Sequence, residues 1–98
     1  MGVVDEISGS VLLAVASIPA GSVTSYGQIA QLVGRGGPRA VARVLATRGD
    51  GVCWWRVVRS DGTIAAPLVG EASRLLADEG VEVRDGRVDM RRFGVVGL

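Results

Sequence analysis

Residues 24–45 can form very little other than two short helices packed across a glycine turn. Thr24-Ser25-Tyr26-Gly27-Gln28 offers Ser25 as a helix N-cap, with Gln28 three positions later completing the reciprocal capping box. Ile29, Leu32 and Val33 then give a short amphipathic helix that Gly34 ends, and Arg35-Gly36-Gly37 forms a tight turn. Pro38 suits the first turn of a second helix, where its missing N–H would be unpaired anyway, and Ala40, Val41, Val44 and Leu45 supply its inward face. Arg39 and Arg43 are four residues apart and share a face. The pattern predicts a helix-turn-helix whose second helix can enter a DNA groove.

The flanking segments predict what packs against that unit. Ile7, Val11, Leu12, Ala14, Val15 and Ile18 form a helix-spaced apolar stripe that Pro19-Ala20-Gly21 stops. After Gly49-Asp50-Gly51, the β-branched and aromatic run Val52-Cys53-Trp54-Trp55-Arg56-Val57-Val58-Arg59 reads as a strand entering a Ser60-Asp61-Gly62 turn. Glu71 to Glu79, with Leu75 and Leu76 inside it and Gly80 after it, reads as a further helix; alternation from Val81 to Val88 around Asp85-Gly86 is a hairpin signal. The expected fold is mainly α with a small β hairpin, or wing, beside the helix-turn-helix. There is no internal repeat, low-complexity tract or linker.

Composition narrows the function classes. A chain of 98 residues with 48% hydrophobic and 21% charged side chains suits a single domain spanning 1–98, which buries roughly two-thirds of its unfolded surface. Its apolar stretches fall short of the ~20 residues a bilayer crossing needs, and no basic segment precedes an apolar one at the start. No membrane association and a cytoplasmic location are therefore expected. One cysteine, Cys53, and no histidine exclude an internal disulfide, a structural zinc cluster and histidine-dependent acid–base chemistry; no metal and no cofactor are expected. The net charge of +1 is unevenly spread: residues 35–59 carry six arginines (Arg35, Arg39, Arg43, Arg48, Arg56, Arg59) against Asp50 alone. All eleven cations are arginine, the better fork for phosphate and guanine edges. A basic stretch becomes a nucleic-acid argument only where its arginines converge on one surface.

At Ser25-Tyr26-Gly27-Gln28, Gly37-Pro38-Arg39-Ala40-Val41, Trp54-Trp55-Arg56-Val57-Val58, Ser60-Asp61-Gly62 and Leu75-Leu76-Ala77-Asp78-Glu79-Gly80 the chain resembles the DNA-binding domain of O6-alkylguanine-DNA alkyltransferases. The resemblance runs over residues 9–83, with the blocks in order, and implies a winged helix-turn-helix-like domain of the alkyltransferase C-terminal type. The family signature is Pro-Cys-His-Arg-Val, whose cysteine accepts the alkyl group; here the aligned residues are Cys53-Trp54-Trp55-Arg56-Val57. Tryptophan at the acceptor position marks the alkyltransferase-like proteins, relatives that bind alkylated guanine without repairing it. The segment between Arg39 and Trp54 is two residues shorter than in the family, and Ala65-Ala66-Pro67-Leu68, where the pocket lid falls, lacks its usual tyrosine.

The residue chemistry agrees. An indole has no nucleophile comparable to a thiolate, and Trp55 at the histidine position supplies no activating base. No catalytic residue is therefore expected. Cys53, one residue early on the expected strand, should point away from the pocket as a small apolar side chain, because strand neighbours face opposite ways. Recognition must then proceed by flipping the base. The resemblance implies that Arg39 fills the vacated stack, that Tyr26 presses on the phosphate of the target nucleotide, and that Trp54 lines the lesion pocket. Pro38, Arg43 and Arg56 complete the expected DNA contacts; Trp55, Val57, Pro67 and Leu68 complete the expected pocket. Arg56 can alternatively brace the site, Trp55 can be core packing, and Glu79, its family histidine partner missing, is expected to serve structure at a helix end.

The expected partner is duplex DNA containing O6-alkylguanine, bound by a monomer that associates with the nucleoid and hands the lesion to nucleotide excision repair proteins. Three other readings stay open: a plain winged-helix regulator, a residual alkyltransferase using Cys53, and a small protein-interaction domain.

Overall fold

The computed structural model of the chain describes residues 2–95. Helix α1, Val3–Ala16, buries Ile7, Val11, Ala14 and Val15 along one stripe. After it come the two-residue strand β1, Thr24–Ser25, helix α2, Tyr26–Val33, and helix α3, Gly37–Arg48. Ser25 caps α2 as expected: its hydroxyl accepts from the Gln28 N–H at 3.1 Å, and the Gln28 carbonyl oxygen accepts from the Ser25 N–H at 3.2 Å. Gly34 ends α2 in the left-handed region, and Gly36, at φ 90°, opens α3. A Cβ on Gly36 would lie 2.8 Å from Ile7 Cδ1, so the turn rests directly on α1.

The run from Val52 to Arg59 departs from the expected strand. Trp54–Arg56 is a 3-10 turn, and only Val57–Val58, strand β2, is extended. β2 pairs in parallel with β1, placing Thr24 beside Val57 and Ser25 beside Val58. The reason for the turn lies in its side chains: Trp55 and Arg56 both reach Glu79, whereas in a strand consecutive side chains point to opposite faces. A second 3-10 turn, Ala66–Leu68, leads into helix α4, Val69–Asp78. Strands β3, Val83–Arg84, and β4, Arg87–Val88, form the expected hairpin, with Asp85 at φ 53° and Gly86 at φ 73° as its tight turn. Helix α5, Met90–Phe93, follows, and Val23 bonds on both sides to its exit, donating to Phe93 and accepting from Val95.

Two apolar clusters result. Ile7, Val11, Val15, Ile18, Ile29, Val41, Val44 and Val57 pack among α1, α2 and α3. Val23, Val58, Ile64, Ala72, Leu76, Val81 and Val88 pack beneath α4 and the hairpin. The consecutive Val57 and Val58 belong to different clusters, because the alternation of β2 sends one to each face. The short β1–β2 ladder is thus the seam where the helix-turn-helix meets the wing. No helix among the described residues is long and apolar enough to cross a membrane.

Two glycines distinguish a turn that can adjust from one that cannot. Gly36 would press a Cβ on the flexible end of Ile7, whereas Gly62, also at φ 90°, would drive it into the backbone carbonyl oxygen of Val88. Gly36→Ala should cost about 1–2 kcal/mol from its left-handed backbone alone, and Gly62→Ala about 3 kcal/mol or more because the hairpin must shift. Denaturant midpoints of the two variants check the order; equal losses would contradict it.

Candidate nucleic-acid interface and base cavity

A cavity of about 340 Å³ opens between α3 and the start of α4. Its lining comes from Tyr26 at the first position of α2, Ala42, Leu45 and Ala46 of α3, Asp50, Trp54, Leu68, and Glu71 of α4. The size is near the lower end for small-molecule sites, which run from about 300 to 1,000 Å³. A wider groove of about 930 Å³ lies across the hairpin and α5, but four acids (Asp61, Glu82, Asp85, Asp89) and four arginines (Arg84, Arg87, Arg91, Arg92) cancel along it. The smaller cavity unites an indole, a phenol and aliphatic surface, the materials that hold a flat aromatic ligand.

Trp54 owes its position to a buried clamp. Glu79, where α4 ends, takes a bifurcated bond from Arg56 Nε (2.9 and 3.1 Å), a second Arg56 bond at 2.6 Å, the Trp55 indole N–H at 2.9 Å and the Gly21 N–H at 3.3 Å. Arg56 also donates to the Ile18 carbonyl at 2.8 Å, which ties the turn to the end of α1. The two charged side chains are only 15% and 13% exposed. Arg56 holds the Glu79 carboxyl below the usual carboxylate range against the opposing effect of burial, with further help from Trp55 and Gly21. The Arg56 guanidinium lies 5.6 Å from the Trp55 ring centroid, and Trp55 meets Trp54 edge-to-face, centroids 5.9 Å apart. Trp55 is therefore held on several sides and serves as the backing against which Trp54 faces the cavity.

The cationic rim comes from α3 and β2. Arg39, Ala42, Arg43 and Ala46 are spaced three and four apart, so the two exposed arginines continue the cavity-lining face of α3. Arg59, directly after β2, lies near enough to Tyr26 at the start of α2 for its charge to act on the phenol. Burial raises the Tyr26 pKa and the charge of Arg59 partly offsets it, so the phenol keeps its proton at neutral pH and can donate it. Among the described residues Arg39, Arg43 and Arg59 make no ion pair, whereas Arg35 pairs with Glu6 and Arg48 with Asp5.

Several expected site residues lie elsewhere. Val57 is 4% exposed in the first apolar cluster and does not line the cavity, because the strand it begins faces that core. Arg56 is turned inward to Glu79 and is not presented for a DNA contact. Trp55 stands behind the cavity wall. Pro67 is exposed and does not line the cavity, while its neighbour Leu68 does. Pro38 is exposed at the start of α3 beside the rim. Cys53 does turn inward, its thiol donating to the Val15 carbonyl at 3.1 Å. The 3-10 turn directs it there, not strand alternation. Glu79 does sit at a helix end, but it has partners, the Trp55 N–H and Arg56. Sequence reasoning missed Ala42, Leu45, Ala46, Asp50 and Glu71 in the lining and gave Arg59 no role; for Arg59, its place in the basic stretch was the only available signal.

Comparison with known proteins shows the family and the fold. Residues 6–81 match the family model of the 6-O-methylguanine DNA methyltransferase DNA binding domain, and the chain belongs to that family. Within the family it is alkyltransferase-like. The crystal structure of S. pombe Atl1 in complex with damaged DNA containing O6-carboxymethylguanine superposes with a TM-score of 0.86 at 29% identity, covering 95% of this chain and 97% of that one. A DNA base-flipping protein of Escherichia coli is 38% identical over 87 residues, 81% of this chain and 66% of that protein. A bifunctional methyltransferase/endonuclease of Picrophilus torridus is 33% identical over 81 residues, 78% of this chain. The chain spans only 27% of the length of that larger relative.

The clamp predicts a specific stability profile. Glu79→Ala leaves the partly buried Arg56 charge without its carboxylate and should cost about 1–3 kcal/mol, read from denaturant unfolding. Because the folded-state pKa of Glu79 is depressed, its contribution is fully present above the ordinary carboxylate pKa of about 4.3 and is lost as pH falls through the lower folded value. The gap between wild type and Glu79→Gln should therefore narrow on acidification below pH ~4. A gap independent of pH would contradict the assignment.

Proposed function

We propose that this chain binds duplex DNA, extrudes guanine alkylated at O6 into the Trp54 cavity, and holds it there without transferring the alkyl group. The carrying observation is the convergence of Tyr26, Trp54 and Leu68 on one cavity that continues into the Arg39–Arg43 face of α3. Extrusion costs a few kcal/mol, and stacking a base on an aromatic ring returns about 1–3. Arg39 fills the vacated stack; Tyr26 donates to the phosphate of the rotated nucleotide; Arg43 and Arg59 neutralise neighbouring phosphates on either side. Trp54 stands at the family's acceptor position, where an indole stacks and cannot accept a methyl group as a thiolate does. Trp55, at the histidine position, commits its N–H to Glu79, so no base is available. Cys53, bonded to Val15 within the first cluster, faces away from the cavity.

The names of the relatives support this reading: one is a base-flipping protein and another was crystallised on damaged DNA. A bound lesion that is not repaired in place must be removed by other means, and we assign the complex the role of a monomeric flag for nucleotide excision repair on the nucleoid.

The test is binding to matched duplexes with and without one O6-methylguanine at two salt concentrations, followed by intact mass of the protein. Tighter lesion binding with unchanged mass is expected, with a log–log salt slope of about −2 if Arg43 and Arg59 each neutralise a phosphate. Trp54→Ala should reduce the preference for the lesion, and Arg39→Ala should weaken extrusion, read by a fluorescent base analogue opposite the lesion. Equal binding to both duplexes would favour a plain winged-helix regulator, and a methyl mass gain would make Cys53 an acceptor.

A further inference from the structure

Arg39 and Arg43 sit on the exposed face of α3; Arg59, likewise without an ion pair among the described residues, does not. It follows β2 directly, as Tyr26 follows β1, and the parallel ladder pairs the residues just before them, Ser25 with Val58. Both of those anchors are buried. The capping box fixes Tyr26 further, and a tight turn fixes the backbone of Arg59: its N–H donates to the Thr63 carbonyl at 3.0 Å, and its carbonyl accepts from the Gly62 N–H at 2.8 Å. The nearest acid in sequence, Asp61, is turned to the Thr63 N–H at 2.9 Å and to Arg87 at 3.7 Å. Arg59 is therefore an exposed, unneutralised cation on a fixed backbone, beside the phenol that lines the base cavity.

From Arg59 and Tyr26 leaving paired strands side by side, we infer that Arg59 engages DNA only after a nucleotide has been turned out, taking a phosphate that flanks it. That role rests on the function proposed above and divides the work of its cations: Arg43 grips any duplex, and Arg59 adds affinity to the extruded state alone. A duplex seated on the exposed face of α3 meets Arg43 whether or not a base has left the stack. Rotating one nucleotide by about 180° about its backbone carries its flanking phosphates toward the cavity that receives the base. Tyr26 lines that cavity, so phosphates that come to its O–H come to Arg59 as well. The phenol supplies one neutral hydrogen bond; the guanidinium adds forked, charge-assisted ones, each roughly twice as strong. An undamaged guanine stays paired, and its complex gains nothing from Arg59. The lower extrusion cost of the lesion is thereby converted into tighter binding, although Arg59 never touches the base.

The experiment measures dissociation constants of wild type, Arg59→Gln, Arg59→Lys and Arg43→Gln on matched duplexes bearing guanine or O6-methylguanine, across a series of salt concentrations. Arg59→Gln should weaken binding of the lesion duplex about tenfold at low salt and flatten its log–log salt slope by about 0.9, leaving affinity and slope on the undamaged duplex unchanged. Arg43→Gln should flatten both slopes by that same amount. Arg59→Lys keeps the charge but not the fork, so its lesion slope should match wild type while its affinity falls by less than that of Arg59→Gln. Position 59 is exposed, and a circular dichroism spectrum matching wild type confirms that Arg59→Gln is folded. Equal weakening of both duplexes by Arg59→Gln makes Arg59 a general contact, and no change on either removes it from the interface. Each of those results overturns the role assigned to Arg59 while a wild-type preference for the lesion still stands. Absence of any wild-type preference for O6-methylguanine over guanine overturns the proposed function as well.

Discussion

Glu79 decides where the rest of the site can be. A carboxylate 13% exposed would be costly to bury alone, since the effective penalty for desolvating an ion inside a protein is several kcal/mol. Here it is offset by a guanidinium, an indole N–H and a backbone N–H converging on its two oxygens. The donors come from two parts of the chain: the Trp54–Arg56 turn supplies two, and the loop after α1 supplies the third, while Glu79 itself follows the last turn of α4. The clamp therefore joins the helix-turn-helix half to the wing half at one point, beside the β1–β2 seam. Its geometry favours the 3-10 turn at Trp54–Arg56, and that turn presents Trp54 to the cavity with Trp55 behind it.

The same bonds explain how the charge is distributed. Counting residues 35–59 gives a surplus of five positive charges, but folding ties Arg35, Arg48 and Arg56 to Glu6, Asp5 and Glu79, all three acids lying outside that stretch. The first two pairs are exposed and worth little in stability; their effect is to place neutralised arginines on the α1 side. Of the six, the three that form no ion pair among the described residues are Arg39 and Arg43, on α3, and Arg59, which follows β2. Convergence on one surface, the condition for reading a basic stretch as a nucleic-acid face, is met by three of the six.

Local chemistry made much of this legible before any coordinates. The capping box at Ser25 and Gln28, the glycine turn into Pro38 and the Asp85-Gly86 hairpin depend only on neighbours in sequence, and all three formed as read. The Val52–Arg59 run failed because its β-branched and aromatic content fits a strand equally well; the determinant was a carboxylate twenty-three residues away from Arg56, which no local pattern reveals. The error carried into the site. A strand through Trp54–Arg56 would have freed Arg56 for DNA, whereas the 3-10 turn directs it inward to Glu79, and Val57, the first residue of β2, faces the first apolar cluster and not the pocket. Asp50 and Glu71 were invisible for a related reason: each looks like a solvated turn or helix-start acid, and only tertiary packing brings the two to one cavity.

Preorganisation by Glu79 also bears on how discrimination arises. Stacking on Trp54 is worth about as much as extrusion costs, and an indole stacks on normal and alkylated guanine alike. Stacking therefore makes flipping affordable without making it selective. Selectivity must come from terms that differ between the two bases, and two exist. Alkylation at O6 weakens pairing, which lowers the extrusion cost before the protein contributes anything. Inside the cavity, Leu45, Ala46 and Leu68 offer apolar surface that an alkyl group can bury and a bare carbonyl oxygen cannot. A methyl group buries little area, so for the smallest adducts the first term dominates, and the second grows with adduct size. A stacking wall of this kind tolerates a range of bulk: an acceptor thiol would need the alkyl carbon held in line for attack, whereas stacking needs only that the ring lie flat.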